Sequence, residues 1–485
     1  MAAGPLEAVD LLIEHGTVIT MDPARRVLDD AAVAVRGDRI VAVGSTSELR
    51  RLYAPARTIN AHRKAVLPGL IDSHAHAGHG MLRTMGAGAT DAWMDACAVI
   101  YTGASDEHFW RAESAMASLE RLKAGVTTGV SLFGGGDSVM RVDDPKYARA
   151  HCDAVEKTGT RSVVAVGPTR PAGPSRYTDF ARSPPHVSEV DAATMLAVCN
   201  SIIDENHGRA DGRLQIAVTL PVFAPMHKAD HVALEGQYRQ QAADYFPLVA
   251  QRGLTFTQDG HQTGTLALAH KVLGLLGPRS FMSHSIDLND EDIALTRDTD
   301  TRIVHNPSAV MSIRGRCPVP ELIDAGVTVA IGSDGSAPDR GYDMFRHMFQ
   351  CMHYHRRHFR DAGVLPHGKV LEMVTIDAAR ALSMEHEIGS LEAGKKADII
   401  LVDLFKPHMM PLNMPVYRVT CFANAADVST TIVNGRVLMH EGEVLTVNQT
   451  EVLEEAQIAC DRMLDRSGLR HLTDAPARLW GTSHY

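Results

Sequence analysis

The sequence lacks any apolar run approaching the ~18 residues of a membrane-spanning helix, so a soluble protein is expected. It also lacks blocks of basic residues, and its net charge is −10. Nucleic acid and anionic membranes are attracted by clustered Lys and Arg, so neither is expected as a partner. Nothing at the start resembles a secretory signal, because Met1-Ala2-Ala3-Gly4-Pro5 is followed by acidic residues, and a cytoplasmic location is expected. The seven cysteines, at 97, 152, 199, 317, 351, 421 and 460, are odd in number and have no Cys-x-x-Cys spacing. That pattern fits reduced, buried thiols in a cytoplasm better than a disulfide framework. No repeat, low-complexity tract or long linker interrupts the chain.

What the sequence does hold is a series of short apolar runs that stop in polar residues. The first is Pro68-Gly69-Leu70-Ile71-Asp72-Ser73-His74-Ala75-His76, a strand ending in two histidines spaced i, i+2. Alternate residues of a strand point to the same side, so both imidazoles face one point, as a metal site requires. Seven further runs follow, at 125–130, 161–166, 214–220, 254–257, 280–284, 302–307 and 327–334. Between them lie segments of helical period, such as Phe109 to Lys123, Ala192 to Glu205, Leu234 to Gln251 and Thr265 to Leu276. Eight strands alternating with helices predict an α/β fold, a closed (β/α)8 TIM-like barrel over residues 65–385. In such a barrel, residues just past the strand ends share one mouth. His74, His76, His284, His305 and Asp334 all occupy such positions.

Residues 1–64 and 386–447 read as short strands and turns and are expected to combine into one small β-sandwich domain built from both chain flanks. Residues 448–485 read as a C-terminal helix and tail, with an amphipathic stretch from Glu451 to Leu464.

The ordered motifs extend beyond the first strand, through Leu122-Lys123-Ala124-Gly125-Val126-Thr127-Thr128, Ser283-His284, His305-Asn306-Pro307-Ser308, Gly332-Ser333-Asp334-Gly335 and the stretch from Ile388 to Asp398. With them the chain resembles the amidohydrolase superfamily, in particular its branch of cyclic amidine deaminases and triazine chlorohydrolases. The resemblance implies one divalent metal ion per subunit, zinc or iron with manganese also compatible. It gives His74, His76, His284 and Asp334 as ligands, with Asp334 also taking the proton from the attacking water. Binuclear relatives carry a bridging lysine at the end of strand 4, whereas that strand here ends Val218-Thr219-Leu220-Pro221. A homodimer or homotetramer is implied as well.

Strand 5 departs from the family pattern. Relatives carry His-x-x-Glu about six residues after a helix-ending glycine. Counting from Gly253 puts Asp259 in the histidine slot and Gln262 in the glutamate slot. A register shifted by two offers His261 as ligand; the first register is favoured because Gly253 and Thr263 then both fall where the family has them. A second carboxylate in place of an imidazole favours harder ions such as Fe²⁺ or Mn²⁺. Gln262 hydrogen-bonds but cannot carry a proton, so His261 or His305 becomes the candidate for that duty. His305 is also explained as a group that merely holds its loop. Phe223, which replaces a substrate-contacting histidine of the family, and Trp93 are candidates to line a ring-binding pocket, or are plain packing. His353, His355 and His358 fit a helix surface or subunit contact better than a second metal.

The function implied is a metal-dependent hydrolase acting on C–N bonds of cyclic amidines, with a small heterocyclic substrate and ammonia as the leading product. Alternatives are removal of a halide or substituted amine from a triazine-like ring, opening of a cyclic amide, or a catalytically degenerate scaffold.

Overall fold

Short runs rich in Val, Ile and Ala set the barrel, because side chains of alternating direction must find an apolar partner on both faces. In the computed structural model, which describes residues 6–86, 89–136, 139–477 and 479–481, eight parallel strands lie side by side in chain order. They are Leu70–Asp72, Val126–Leu132, Arg161–Val166, Leu214–Thr219, Thr255–Gln258, Ser280–Ser283, Arg302–His305 and Val329–Ile331. The last strand returns to the first, where Ser73 N–H donates to the Ile331 carbonyl at 3.2 Å, so the barrel is nearly closed. The barrel expected from the sequence is present.

The two-residue period is visible in the packing. Ile71, Val130, Leu132, Val163, Ala165, Ala217, Phe281, Val304 and Ala330 fill the barrel interior. Their neighbours Leu70, Val164, Val166, Ile216, Val218, Met282, Ile303 and Val329 pack outward into the shell of helices. The helices begin where short polar side chains can accept from the free N–H groups of the first turn. Asp106 accepts from Phe109 N at 2.8 Å to start Glu107–Lys123, and Asp191 accepts from Thr194 N at 2.8 Å to start Ala192–Asn206. The stretch read as one helix from Leu234 to Gln251 is two, His231–Tyr245 and Pro247–Gln251, with the division falling at Pro247. A ring that lacks an N–H suits the start of the second helix and not the interior of one.

Both flanks share one nine-stranded sheet. Glu7–Ile19 pairs antiparallel with Val27–Arg36 and parallel with Tyr53–Asn60 and Lys64–Pro68, and Lys64–Pro68 pairs antiparallel with Ile399–Asp403. Ala65 to Pro68, counted above with the barrel, therefore lie in the small sheet. Gly69 makes the passage: a Cβ there would come within 2.1 Å of Thr127 Oγ1. The closing helix, Gln449–Ser467, buries Ala456, Ala459, Met463 and Leu464 and packs on Glu107–Lys123. Among the described residues no helix is long and apolar enough to cross a membrane.

Candidate metal centre and active site

The extended backbone continues past Asp72. Leu132 N–H donates to the Ala75 carbonyl at 2.7 Å and Ala77 N–H to the Leu132 carbonyl at 2.7 Å. Side-chain alternation is thereby kept through His74 and His76. Asp72 locks the first strand end to the last, accepting from Ser333 N at 2.8 Å, Ser333 Oγ at 2.9 Å and Arg121 Nη2 at 3.0 Å. Asp334 N–H then donates to the His74 carbonyl at 2.8 Å. Gly332 permits this approach, since a Cβ there would lie 2.4 Å from Asn306 Oδ1 and 2.8 Å from the His74 backbone nitrogen.

Five of the predicted side chains converge here. The Asp334 Oδ1 oxygen lies 3.4 Å from His74 Nε2, 3.2 Å from His76 Nε2 and 3.6 Å from His284 Nε2. The Asp259 carboxylate lies 3.4 Å from His74 Nε2, 3.4 Å from His76 Nε2 and 2.9 Å from His284 Nε2. Most of these separations are long for hydrogen bonds. They match the ~3.3–3.6 Å edges between donors about 2.0–2.2 Å from a tetrahedral ion. His74, His76, Asp259 and Asp334 offer donor atoms all within 4.8 Å of one another. Neither ring nitrogen of buried His74 has a hydrogen-bond partner. His76 Nδ1 lies 2.9 Å from the Gly134 carbonyl, a bond that needs the proton on Nδ1 and leaves the Nε2 lone pair aimed into the cluster. Donor set and spacing fit a divalent cation.

The electrostatics agree. Burial alone would lower the His74 pKa, yet the Asp259 and Asp334 carboxylates outweigh it and raise it to about 9. Burial opposes ionisation of Asp334 as well, but Arg340 and the surrounding imidazoles hold its carboxyl well below the usual carboxylate range. Asp259 is treated likewise, its own burial being outweighed by His284, His74 and His76. Two carboxylates thus stay ionised where protons or a cation must balance them. His284 and Asp334 have φ of 61° and 62°, a left-handed backbone that costs of order 1–3 kcal/mol per non-glycine residue and is typical of functional sites.

The other predicted residues lie elsewhere. Asp259 follows Thr255–Gln258 directly and reaches the cluster, whereas His261 is tied through Nδ1 to Thr265 Oγ1 at 3.0 Å, its pKa lowered by burial to about 3 and its buried Nε2 without a hydrogen-bond partner among the described residues. Gln262 is half-buried, its N–H donating to Thr265 Oγ1 at 3.0 Å. The His305 ring packs against Tyr354 and His355, with centroids 6.4 and 5.3 Å away. Phe223 packs on Tyr238 and His231 at 5.1 and 6.2 Å. Trp93 stands edge-on to His79 at 5.1 Å, and His79 stacks on His76 at 4.6 Å, which puts Trp93 one ring removed from the cluster.

Sequence reasoning missed Arg340, His79 and Arg121. Arg340 Nη2 lies 3.1 Å from Asp334 Oδ2, and its Nη1 donates to the Ser308 carbonyl at 3.0 Å. His79 Nδ1 is 2.9 Å from Tyr101 Oη, and burial, with His76 beside it, keeps the His79 ring neutral. The one local signal was His79 itself, three residues past the His74–His76 pair; Arg340 and Arg121 are joined to the site through tertiary contacts alone. A polar cavity of about 220 Å³ opens beside Arg340, bordered by Ser308, Arg346, His347 and Gln350.

Comparison with known proteins agrees with this architecture. Residues 251–438 match the amidohydrolase family, and residues 31–56 match a bacterial imidazolonepropionase-like composite domain. A 5-methylthioadenosine/S-adenosylhomocysteine deaminase of Syntrophobacter fumaroxidans is 29% identical over 464 residues, 92% of this chain and 97% of that protein. A 5'-deoxyadenosine deaminase of Methanococcoides burtonii is 28% identical over 94% of this chain and 98% of its own. Among solved structures, a zinc-bound adenosine deaminase from Xanthomonas campestris superposes with a TM-score of 0.79 at 24% identity, covering 95% of this chain and 100% of its own. An atrazine chlorohydrolase from Arthrobacter aurescens, complexed with zinc, gives 0.75 at 22% identity over 93% and 100% of the two chains. Barrel, strand-end cluster and these matches together show that the chain carries an amidohydrolase family domain.

Proposed function

We propose that the chain is a metal-dependent hydrolase that releases ammonia from a nitrogen heterocycle, with an adenine-type nucleoside as the leading substrate class. The observation that carries this is the convergence of three imidazoles and two ionised carboxylates at the barrel mouth. His74, His76, His284, Asp259 and Asp334 are the residues that would hold the ion. A divalent ion there supplies Lewis acidity, lowering the pKa of water and stabilising negative charge that develops on oxygen. The two-carboxylate set suits Fe²⁺ or Mn²⁺ as well as Zn²⁺.

Asp334 is held ionised and accepts a proton from the attacking water. Arg340, bonded to the outer oxygen of Asp334, keeps the carboxylate oriented. Water oxygen bonds to the amidine carbon, the exocyclic C–N bond breaks, one water proton passes through Asp334 to the nitrogen that leaves as ammonia, and the other ends on the ring nitrogen, so the ring retains a carbonyl beside an N–H. The polar cavity with Arg346 and Gln350 suits the oxygen-rich part of a nucleoside. The near-full-length relatives named as deaminases of 5-methylthioadenosine, S-adenosylhomocysteine and 5'-deoxyadenosine support this substrate class.

Gln262 favours a second reading. A glutamine cannot deliver a proton to a ring nitrogen, so displacement of a leaving group that departs unprotonated, such as chloride, is the hydrolysis least affected. Zinc-, iron- and manganese-loaded protein assayed against adenosine, 5'-deoxyadenosine, 5-methylthioadenosine and a chlorotriazine separates the two. Ammonia release supports the first reading and chloride release the second; release of neither sinks both. The expected homodimer or homotetramer and the cytoplasmic location stay part of this proposal.

A further inference from the structure

The helix Met344–Phe359 carries a second set of donor groups, outside the strand-end cluster. His353 and His358 lie on its exposed face, as a surface histidine would, but His355 is fully buried. The expectation that all three form a surface is corrected for His355. The helix is amphipathic, and position 355 shares the inward face with Met344, Met348, Cys351 and Met352. Cys351 and His355 are spaced i, i+4, so their side chains project together from one turn to the next. Opposite them stands His305, at the end of the seventh barrel strand.

These three groups present one imidazole nitrogen each and a thiol sulfur, all within 4.8 Å of one another and all buried. Among the described residues, none of the four ring nitrogens of His305 and His355 has a hydrogen-bond partner. A buried polar atom without a partner is destabilising by about 1–3 kcal/mol, and native proteins almost always supply a partner. Two such rings lie side by side, each with a nitrogen within 4.8 Å of the Cys351 sulfur. Neither ring is charged: burial, with each other and Arg316 nearby, holds His305 well below its ordinary pKa, and burial holds His355 at about 3. Neutral imidazole is the form that binds metal. Arg316, whose charge acts on both rings, is engaged by Glu321.

We propose that His305, Cys351 and His355 form a second, structural site for a zinc-type ion that ties the Met344–Phe359 helix to the seventh barrel strand. Imidazole and thiolate donors select borderline and soft ions over magnesium or calcium. A tetrahedral ion needs donor separations of about 3.3–3.8 Å for Zn–N near 2.0 Å and Zn–S near 2.3 Å, a modest contraction of the present cluster. The three donors are buried between the helix and the barrel strand and lie outside the strand-end cluster, which suits a structural role. Binding releases the Cys351 thiol proton to solvent and changes no oxidation state.

The strand-end cluster contains no sulfur donor, so sulfur reports on the second site alone. X-ray absorption of the wild-type chain reconstituted with Zn²⁺ is expected to show sulfur scattering at about 2.3 Å in addition to nitrogen and oxygen. Elemental analysis is expected to give about two zinc per chain, falling to about one in Cys351→Ser and in His355→Gln, with the sulfur shell lost or reduced in the first. Co²⁺-substituted wild-type protein is expected to show a thiolate-to-cobalt charge-transfer band. A wild-type chain that binds one ion with a shell free of sulfur overturns the proposal whatever the variants do, and so does sulfur scattering that persists undiminished in Cys351→Ser. This outcome is independent of turnover, so failure of the hydrolase reading leaves the test intact.

Discussion

Asp259 and His261 stand two residues apart, and the account gives the ion to the first. Asp259 faces His74, His76 and His284 at 2.9–3.4 Å, whereas His261 is tied through Nδ1 to Thr265. Loss of an outer partner of a ligand typically costs 10–100-fold in metal affinity, and loss of a donor facing three ligands should reach at least the upper end. Asp259→Ala is therefore expected to weaken binding by at least ~10²-fold, about 2.7 kcal/mol. Asp259→Asn keeps one neutral oxygen and should fall about tenfold between wild type and the alanine variant. His261→Ala should leave affinity within about threefold, since its ring is held by Thr265 and is not among the donors that lie within 4.8 Å of one another, though it opens a cavity and lowers thermal stability. Competition with a chelator of known affinity reads all three. A tight ion in Asp259→Ala together with a lost one in His261→Ala would refute the reasoning and shift the strand-5 register by two.

Further predictions concern chemistry, metal choice and pH. Asp334→Asn keeps size and an oxygen donor but cannot accept a proton, so kcat should fall at least ~10²-fold while elemental analysis shows the ion retained. Asp259→His combined with Gln262→Glu rebuilds the family's usual strand-5 motif; competition between metals should shift toward Zn²⁺, and an unchanged preference would show that Asp259 does not touch the ion. His151, buried and held neutral with a pKa of about 3, contributes stability that is present above pH ~6.5 and lost as pH falls toward 3, at up to ~1.4 kcal/mol per pH unit. Denaturant unfolding at pH 7 and pH 5 should show that loss, and His151→Leu should lessen it; an identical pH dependence in the variant counts against the assignment.

The barrel was legible because each strand ends where apolar alternation gives way to a polar residue, and each run is flanked by helical period. Helix bounds were less so: Thr265–Lys271 ends five residues before the expected Leu276, because local period does not report where tertiary packing stops. The hairpin Ser175–Asp179 with His186–Val190 passed unseen, its strands being short and mostly exposed or half-buried. Around the site, the histidines announced themselves by position past strand ends. Arg340 did not, since its meaning comes from an ion pair with Asp334 formed by the fold of a loop. His355 was misread as surface because histidine is common on exposed helix faces, and only the angular position of 355 beside Cys351 and Met352 reveals the inward face.

The most direct measurement is ammonia release by chelator-stripped protein as Fe²⁺, Mn²⁺ or Zn²⁺ is titrated back in the presence of an adenosine-type nucleoside. The account predicts no turnover in the stripped chain, recovery that tracks occupancy of the strand-end cluster, and no recovery in His74→Ala with His76→Ala. Turnover that survives stripping, or that returns in the double variant, would contradict it.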